Sequence, residues 1–351
     1  MRSFTYAASP ARILFGAGRS AEIGAAIEEI GCRRALVLAT SHQKADAEAL
    51  SERLGALSVG VFAGAVMHTP VTVTQTALEI VAERRADCLV SFGGGSTTGL
   101  GKAVAYRTDL PQIVIPTTYA GSEVTPILGQ TEDGRKTTVR HPSILPEVVV
   151  YDPDLTLGLP VAMSVTSGLN AMAHAVEGLY ARDRNPVSTL MAVEGLKAFA
   201  ASLPVLVKSP QDAEARADAL YGAWLCGTVL GAVGMALHHK ICHTLGGSFD
   251  TPHAETHAVM LPHTAAFNAE AAREELAPAA SIFGGSIGGG LWDFAKSIGA
   301  PLSLRDFGLS EADLDGAANI ATENPYWNPR PIDQTSIRTL LQQAWEGVRP
   351  D

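Results

Sequence analysis

The chain has 351 residues, of which 46% are hydrophobic and 18% charged, with a formal net charge of −10. That apolar content excludes a disordered chain, and the length is enough for two domains. The negative balance, with no Lys/Arg block, excludes nucleic acid as an expected partner and means that an anionic substrate needs a local basic pocket. Cys32, Cys88, Cys226 and Cys242 are scattered with no CxxC, and the start MRSFTYAASPARILFGAG has no long apolar run, as expected of a reduced cytoplasmic protein.

In chain order, RALVLA (34–39) reads as a buried strand, and 45–54 as a helix. A short strand follows at 60–62, a helix at 71–85, and strands at DCLVSF (87–92), QIVIP (112–116) and EVVVY (147–151). Strands alternating with helices predict a doubly wound, mostly parallel sheet in an α/β domain over 1–153. Beyond Asp152-Pro153 the apolar positions follow helical spacing, so 154–351 is predicted to be all-α. From Ala219 to Leu237 no residue is charged, and Gly227 and Gly231 form GxxxG, which imitates a membrane span. It leads straight into His238 and His239, so the expectation is one helix buried on all sides, and no membrane. Asn324–Pro331 reads as a rigid Pro-rich loop.

Two turns follow strands. Gly93-Gly94-Gly95-Ser96 lets the backbone approach a pyrophosphate, and the helix N-terminus behind it offers free N–H groups. Pro116 to Thr125 carries hydroxyls at Thr117, Thr118 and Ser122 that can reach ribose or phosphate. A lone Gly-rich turn is weak evidence, but two at the carboxyl ends of neighbouring strands mark a nucleotide site. Neither GxxxxGK[ST] nor GxGxxG is present.

The segment 238–263 contains His238, His239, His243, His253, His257 and His263. His239 and His243 share a helix face. Imidazole is both a common metal ligand and the side chain that titrates nearest neutral pH, so a metal site or a proton-transfer site is the first reading.

The strand-borne GGGS, the PTTYAGSEVT turn, the helical second half and the histidine cluster together resemble the iron-dependent (group III) alcohol dehydrogenase superfamily. Within it the chain is most similar to the maleylacetate reductases, through Phe4, Tyr6, Arg12, Phe15, Gly16, the His-His pair and NPRP. The resemblance implies the dehydroquinate synthase-like fold, NADH or NADPH as cofactor, and a homodimer. Its metal positions fall on Asn170, His174, His239 and His253, and His243 matches a histidine beside the nicotinamide. Asn170 stands where the family has a carboxylate, and a neutral amide offsets none of a cation's charge. The expectation is therefore a site that works without metal, with Fe or Zn on His174, His239 and His253 as the fallback. Gly99 stands at the Asp of GGGSxxD. Thr40 and Ser41 follow the first strand where NAD-preferring members place an Asp, and neither repels a 2′-phosphate.

The implied reaction is reduction of the maleylacetate C=C bond to 3-oxoadipate, in the breakdown of aromatic compounds, with a small dicarboxylate as substrate. In that frame His243 is the proton donor, and His174, His239 and His253 bind carboxylate or enolate oxygen. Asn170 lines the substrate site, and His238 and Lys240 add positive potential. His257 and His263 read as helix polarity, His68 and His141 as surface. Arg330 fits a structural loop or a carboxylate contact equally. The alternatives are a metal-dependent alcohol dehydrogenase acting on a small alcohol or aldehyde, and a dinucleotide-binding regulator that has lost its catalytic site.

Overall fold

The computed structural model describes residues 4, 6, 11–132 and 135–351; part of the N-terminal stretch read for a signal lies outside them. The chain forms one unit running to Leu159 and another from Pro160 to Asp351.

The first unit is built on a six-stranded parallel sheet. Its strands are β1 (Arg12–Phe15), β2 (Ala35–Thr40), β3 (Ser58–Ala65), β4 (Cys88–Gly93), β5 (Gln112–Pro116) and, later in the chain, Val148–Tyr151, in the order β1, Val148–Tyr151, β5, β4, β2, β3. Alternate residues of β2 explain why both faces are apolar. Ala35, Val37 and Ala39 pack with Ile23 and Ile27 of α1 (Ile23–Glu29) and Leu50 of α2 (Lys44–Leu54). Leu36 and Leu38 pack with Ala77 and Val81 of α3 (Val71–Arg84) and Leu100 and Val104 of α4 (Gly95–Thr108). A strand covered on both faces reads as a continuous apolar run, which is why β2, β4 and β5 were visible in the sequence.

Two features were not. β1 pairs with Val148–Tyr151 at the sheet edge. An antiparallel hairpin, β6 (Ile127–Glu132) with β7 (Arg135–Arg140), forms a second sheet; the strand Val148–Tyr151 is then β8. Leu128 and Gln130 alternate inward on β6, and the Asp-Gly pair at 133–134 in the sequence is a strong hairpin signal.

The second unit is helical: α5 (Val161–Tyr180), α6 (Pro186–Lys208), α7 (Ala213–Ala232), α8 (Leu237–Ser248), α9 (His253–Asn268), α10 (Arg273–Phe283), α11 (Ile287–Ser297), α12 (Asp313–Thr322) and α13 (Gln334–Glu346). The helix α5 is buried from Ser164 to Tyr180 and packs against α6, α7 and α9. By length and composition α6 could cross a membrane, yet it packs against α5 and α7.

The uncharged run from Ala219 to Leu237 is not one buried helix. It breaks after Ala232, and α7 and α8 meet at 97°. The break has acceptors waiting for its N–H groups. Asp183 takes that of Gly234 at 2.9 Å, and Glu177 takes those of Ala236 at 2.9 Å and His238 at 2.7 Å. Apolar periodicity cannot report such acceptors, because they lie elsewhere in the chain.

His263 of α9 is 2% exposed, and neither ring nitrogen has a partner among the described residues. Burial pushes its pKa down to about 4. The unfolded chain therefore binds this proton more tightly, and stability falls as pH drops from 6.5 towards 4. His263→Leu is expected to remove up to about 3 kcal/mol of that acid loss. Unfolding midpoints at pH 7 and pH 4.5 check this: equal acid shifts in both proteins would contradict it.

Candidate active site

In the first unit, the ends of β2, β4 and β5 carry the turns singled out in the sequence. β4 and β5 are adjacent and parallel, and the Thr117 N–H donates to the Gly93 carbonyl at 3.1 Å. Gln43 Nε2 donates to Thr117 Oγ1 at 2.9 Å, and Thr40 Oγ1 donates to Gln43 Oε1 at 3.4 Å. A Cβ on Gly93 would lie 2.6 Å from both Gln43 Oε1 and Thr97 Oγ1, and one on Gly94 would lie 2.8 Å from Thr118 Cγ2. Gly93 also has φ 149°, where only glycine is at ease. A Cβ on Gly95 would meet nothing within 4 Å, so there is open space at the first turn of α4, beside Ser96. Backbone N–H groups facing open space at a helix start suit a phosphate.

Thr40, Gly93, Gly94, Thr117 and Thr118 are thus brought together, and Gln43, which the sequence reading missed, ties them. Ser41 is exposed at the start of a short 3-10 turn. The Ser122 carbonyl accepts from Lys102 Nζ at 2.5 Å. Lys102 also donates to the Thr125 carbonyl and Oγ1 and to the Ile127 carbonyl, at 2.8, 2.9 and 3.0 Å. This buried lysine of α4 therefore pins the second turn from beneath. At Gly99 a Cβ would collide with the hydroxyl of buried Thr69, so an Asp there would displace it.

In the second unit, α5, α8 and α9 assemble the histidines. His174 and His239 face each other, Nδ1 to Nε2, at 2.9 Å. His239 Nδ1 meets Glu177 Oε2 at 2.6 Å, with both side chains almost fully buried. A carboxylate only accepts in such a contact, so His239 carries its proton on Nδ1. In the neutral tautomer its Nε2 accepts from His174 Nδ1–H. Glu177, absent from the sequence reading, had a signal there: Asn170, His174 and Glu177 stand at i, i+4 and i+7 on α5.

Behind this pair, His238 Nδ1 meets Thr264 Oγ1 at 2.9 Å, and His238 Nε2 meets His257 Nδ1 at 2.9 Å. Burial, reinforced by neighbouring imidazoles, holds both His238 and His257 well below the ordinary histidine pKa. Both are neutral near pH 7, so His238 does not supply the positive potential expected of it. His257 is a member of the cluster, with its ring centroid 4.5 Å from that of His253 and 5.1 Å from that of His239. His243 lies 6.0 Å from His239, ring to ring, and its Nδ1 is 3.4 Å from the Tyr326 hydroxyl. Lys240 is half-buried on α8. Arg330 donates to the Phe267 carbonyl at 3.2 Å and stacks over its ring at 3.9 Å, the structural of its two readings. His141 is exposed and His68 half-buried.

Asn170 is 4% exposed, and its Oδ1 has no partner among the described residues. The donor set it joins is three imidazoles and an amide. None is anionic, the facing nitrogens of His174 and His239 share a proton, and the carboxylate nearby engages the far nitrogen of His239. This set does not fit the hard Fe²⁺ ion of the resemblance, which calls for an oxygen anion in direct contact.

Comparison with known proteins accounts for nearly the whole length. Residues 10–153 match the iron-containing alcohol dehydrogenase model, and residues 164–345 match the C-terminal model of the Fe-containing alcohol dehydrogenase family. The chain belongs to the iron-containing alcohol dehydrogenase family. It is similar to maleylacetate reductase from Rhizobium sp. (strain MTP-10005), 64% identical over all of both chains, and to that of Burkholderia cepacia, 52% identical over the same share. The crystal structure of maleylacetate reductase from Agrobacterium tumefaciens superposes with a TM-score of 0.97, at 66% identity and full coverage of both chains. In this chain Asn170, His174 and Glu177 share α5, and Glu177 reaches the histidines through His239 Nδ1.

Truncating Glu177 strands two backbone N–H groups and the His239 ring N–H in the interior. Each such group costs about 1–3 kcal/mol. Glu177→Ala is therefore expected to lower stability by several kcal/mol, and Glu177→Gln, which keeps a carbonyl acceptor, by clearly less. Thermal unfolding of both variants decides; equal losses would show that hydrogen bonding at this site does not matter.

Proposed function

We propose that this protein is an NAD(P)H-dependent maleylacetate reductase, which reduces the C=C bond of maleylacetate to give 3-oxoadipate. The observation that carries the reading is 64% identity, over every residue of both chains, to the Rhizobium maleylacetate reductase. The histidine layer is chemically suited to the task. The double bond is conjugated with a ketone, so hydride addition at the carbon β to that ketone moves negative charge onto the ketone oxygen. The resulting enolate needs hydrogen-bond donors and a proton at its α carbon.

Bound in the first unit, with its pyrophosphate on Gly93, Gly94, Gly95 and Ser96 and its ribose near Thr40, Ser41, Thr117 and Thr118, the dihydronicotinamide supplies the hydride. Ser122 belongs to that site through the turn it helps to shape. Thr40 and Ser41 carry no charge to exclude a 2′-phosphate, so NADH and NADPH are both accepted. The protein's own part is to bind, orient and protonate. We assign His174, His239 and His253, with Asn170 and Lys240, to the dicarboxylate and the enolate oxygen. Glu177 fixes the tautomer of His239 and so the direction of the His174–His239 hydrogen bond. We assign proton transfer to carbon to His243, which is half-buried, with its Nδ1 3.4 Å from the Tyr326 hydroxyl and its ring 6.0 Å from that of His239.

A conjugated ketone spreads the incoming charge by itself, whereas an isolated carbonyl depends more on a Lewis acid. The reading therefore predicts that chelator-treated enzyme oxidises NADH and NADPH with maleylacetate and turns over simple aldehydes far more slowly. Loss of maleylacetate turnover on chelation, restored by iron, would instead support the metal-dependent alcohol dehydrogenase. His243→Ala is expected to lower kcat by about 10²–10⁴-fold with a smaller effect on KM. A kcat near that of the parent would remove His243 from the role.

A further inference from the structure

We infer that His238, Cys242 and His257 form a binding site for a thiophilic divalent cation, Zn²⁺, lying behind the histidines assigned to catalysis and separate from them. His238 Nε2, Cys242 Sγ and His257 Nδ1 lie within 4.8 Å of one another, all buried. His238 and Cys242 are one helical turn apart on α8, and His257 faces them from α9. A tetrahedral Zn²⁺ with Zn–S of about 2.3 Å and Zn–N of about 2.05 Å holds sulfur and nitrogen about 3.6 Å apart, and two nitrogens about 3.3 Å apart. The Cys242 Sγ to His238 Nε2 separation is 3.6 Å. The His238 Nε2 to His257 Nδ1 separation is 2.9 Å, so that pair opens by a few tenths of an ångström to admit the ion.

The surrounding hydrogen bonds prepare His238 as a ligand. Thr264 Oγ1 donates to the Met260 carbonyl at 2.9 Å, so it accepts from His238 Nδ1–H. The lone pair of His238 is thereby left on Nε2, facing Cys242 and His257. A backbone-anchored hydroxyl holding the far nitrogen of a ligand histidine is the usual support for a metal site. His257 Nε2 has no partner among the described residues, so the ring can move its proton there and present Nδ1. Binding then releases one proton, from the Cys242 thiol, and leaves a thiolate on zinc. The thiolate offsets one unit of the ion's charge. The Glu177 carboxylate accepts the backbone N–H of His238, the first of the three ligands, at 2.7 Å.

This is the chemical difference from His174, His239, His253 and Asn170, which offer no anionic donor. A soft sulfur ligand also selects Zn²⁺ over Fe²⁺ or Mg²⁺. By tying α8 to α9, the ion is expected to stabilise the folded protein, by an amount that rises with the logarithm of free Zn²⁺ above its Kd.

The test is equilibrium dialysis of the metal-free full-length protein against Zn²⁺, with Co²⁺ as the spectroscopic probe. One equivalent per chain is expected, with a thiolate-to-cobalt charge-transfer band and a rise in unfolding temperature. Cys242→Ser is expected to lose the band and to bind Zn²⁺ at least about 100-fold more weakly, while His253→Ala binds as the parent does. A parent protein without the band overturns the site, whether or not Cys242→Ser folds. So does Cys242→Ser that binds Zn²⁺ as tightly as the parent. Loss of binding in His253→Ala would place the ion on the catalytic histidines and likewise refute it.

Discussion

The Glu177 carboxylate organises the helical unit. It is almost fully buried, yet every contact it makes is with a donor: the N–H groups of Ala236 and His238, the ring N–H of His239 and, at 3.5 Å, the Tyr180 hydroxyl. An anion in the interior is tolerable only under such saturation. It sits where α8 begins, and negative charge at a helix start is favourable. One side chain thus turns the chain after α7, starts α8 in a new direction, and sets the tautomer of the histidine that α8 delivers. The order of protons through His239 and His174 follows from that placement.

The first unit depends on a buried lysine in a similar way. Lys102 reaches from α4 into the turn after β5 and satisfies three carbonyls and a hydroxyl there. Burial lowers its pKa and raises that of neighbouring Glu123, which accepts from the Tyr151 hydroxyl at 2.8 Å. The Gly-rich turn and the Thr-rich turn are therefore held at a set spacing by these hydrogen bonds as well as by the sheet. Gln43 completes the arrangement from the end of β2.

Legibility followed the range of the interactions. The central strands of the sheet were visible because both faces are covered by helices, so every residue is apolar. The edge strand and the polar hairpin β6–β7 lack that signature. The helical character beyond 154 and the spacing of Asn170 and His174 were legible, since helical period is local. His257 was read as ordinary polarity because its partners, His238 and His253, meet it only after α8 and α9 fold against each other. His238 was read as a positive group, since nothing in HHK reveals that burial will keep it neutral.

The sequence by itself determined the two-part architecture, the Gly-rich turn after β4, the family and the neutral amide at position 170. These rest on periodicity, on glycine and hydroxyl patterns, and on residue identity at known spacings. The tertiary structure decided which buried histidines stay neutral, which nitrogen of His238 and of His239 faces its acceptor, and where a chain of uniform apolarity bends. Those outcomes depend on desolvation and on hydrogen-bond partners tens of residues away, and neither is encoded in local order.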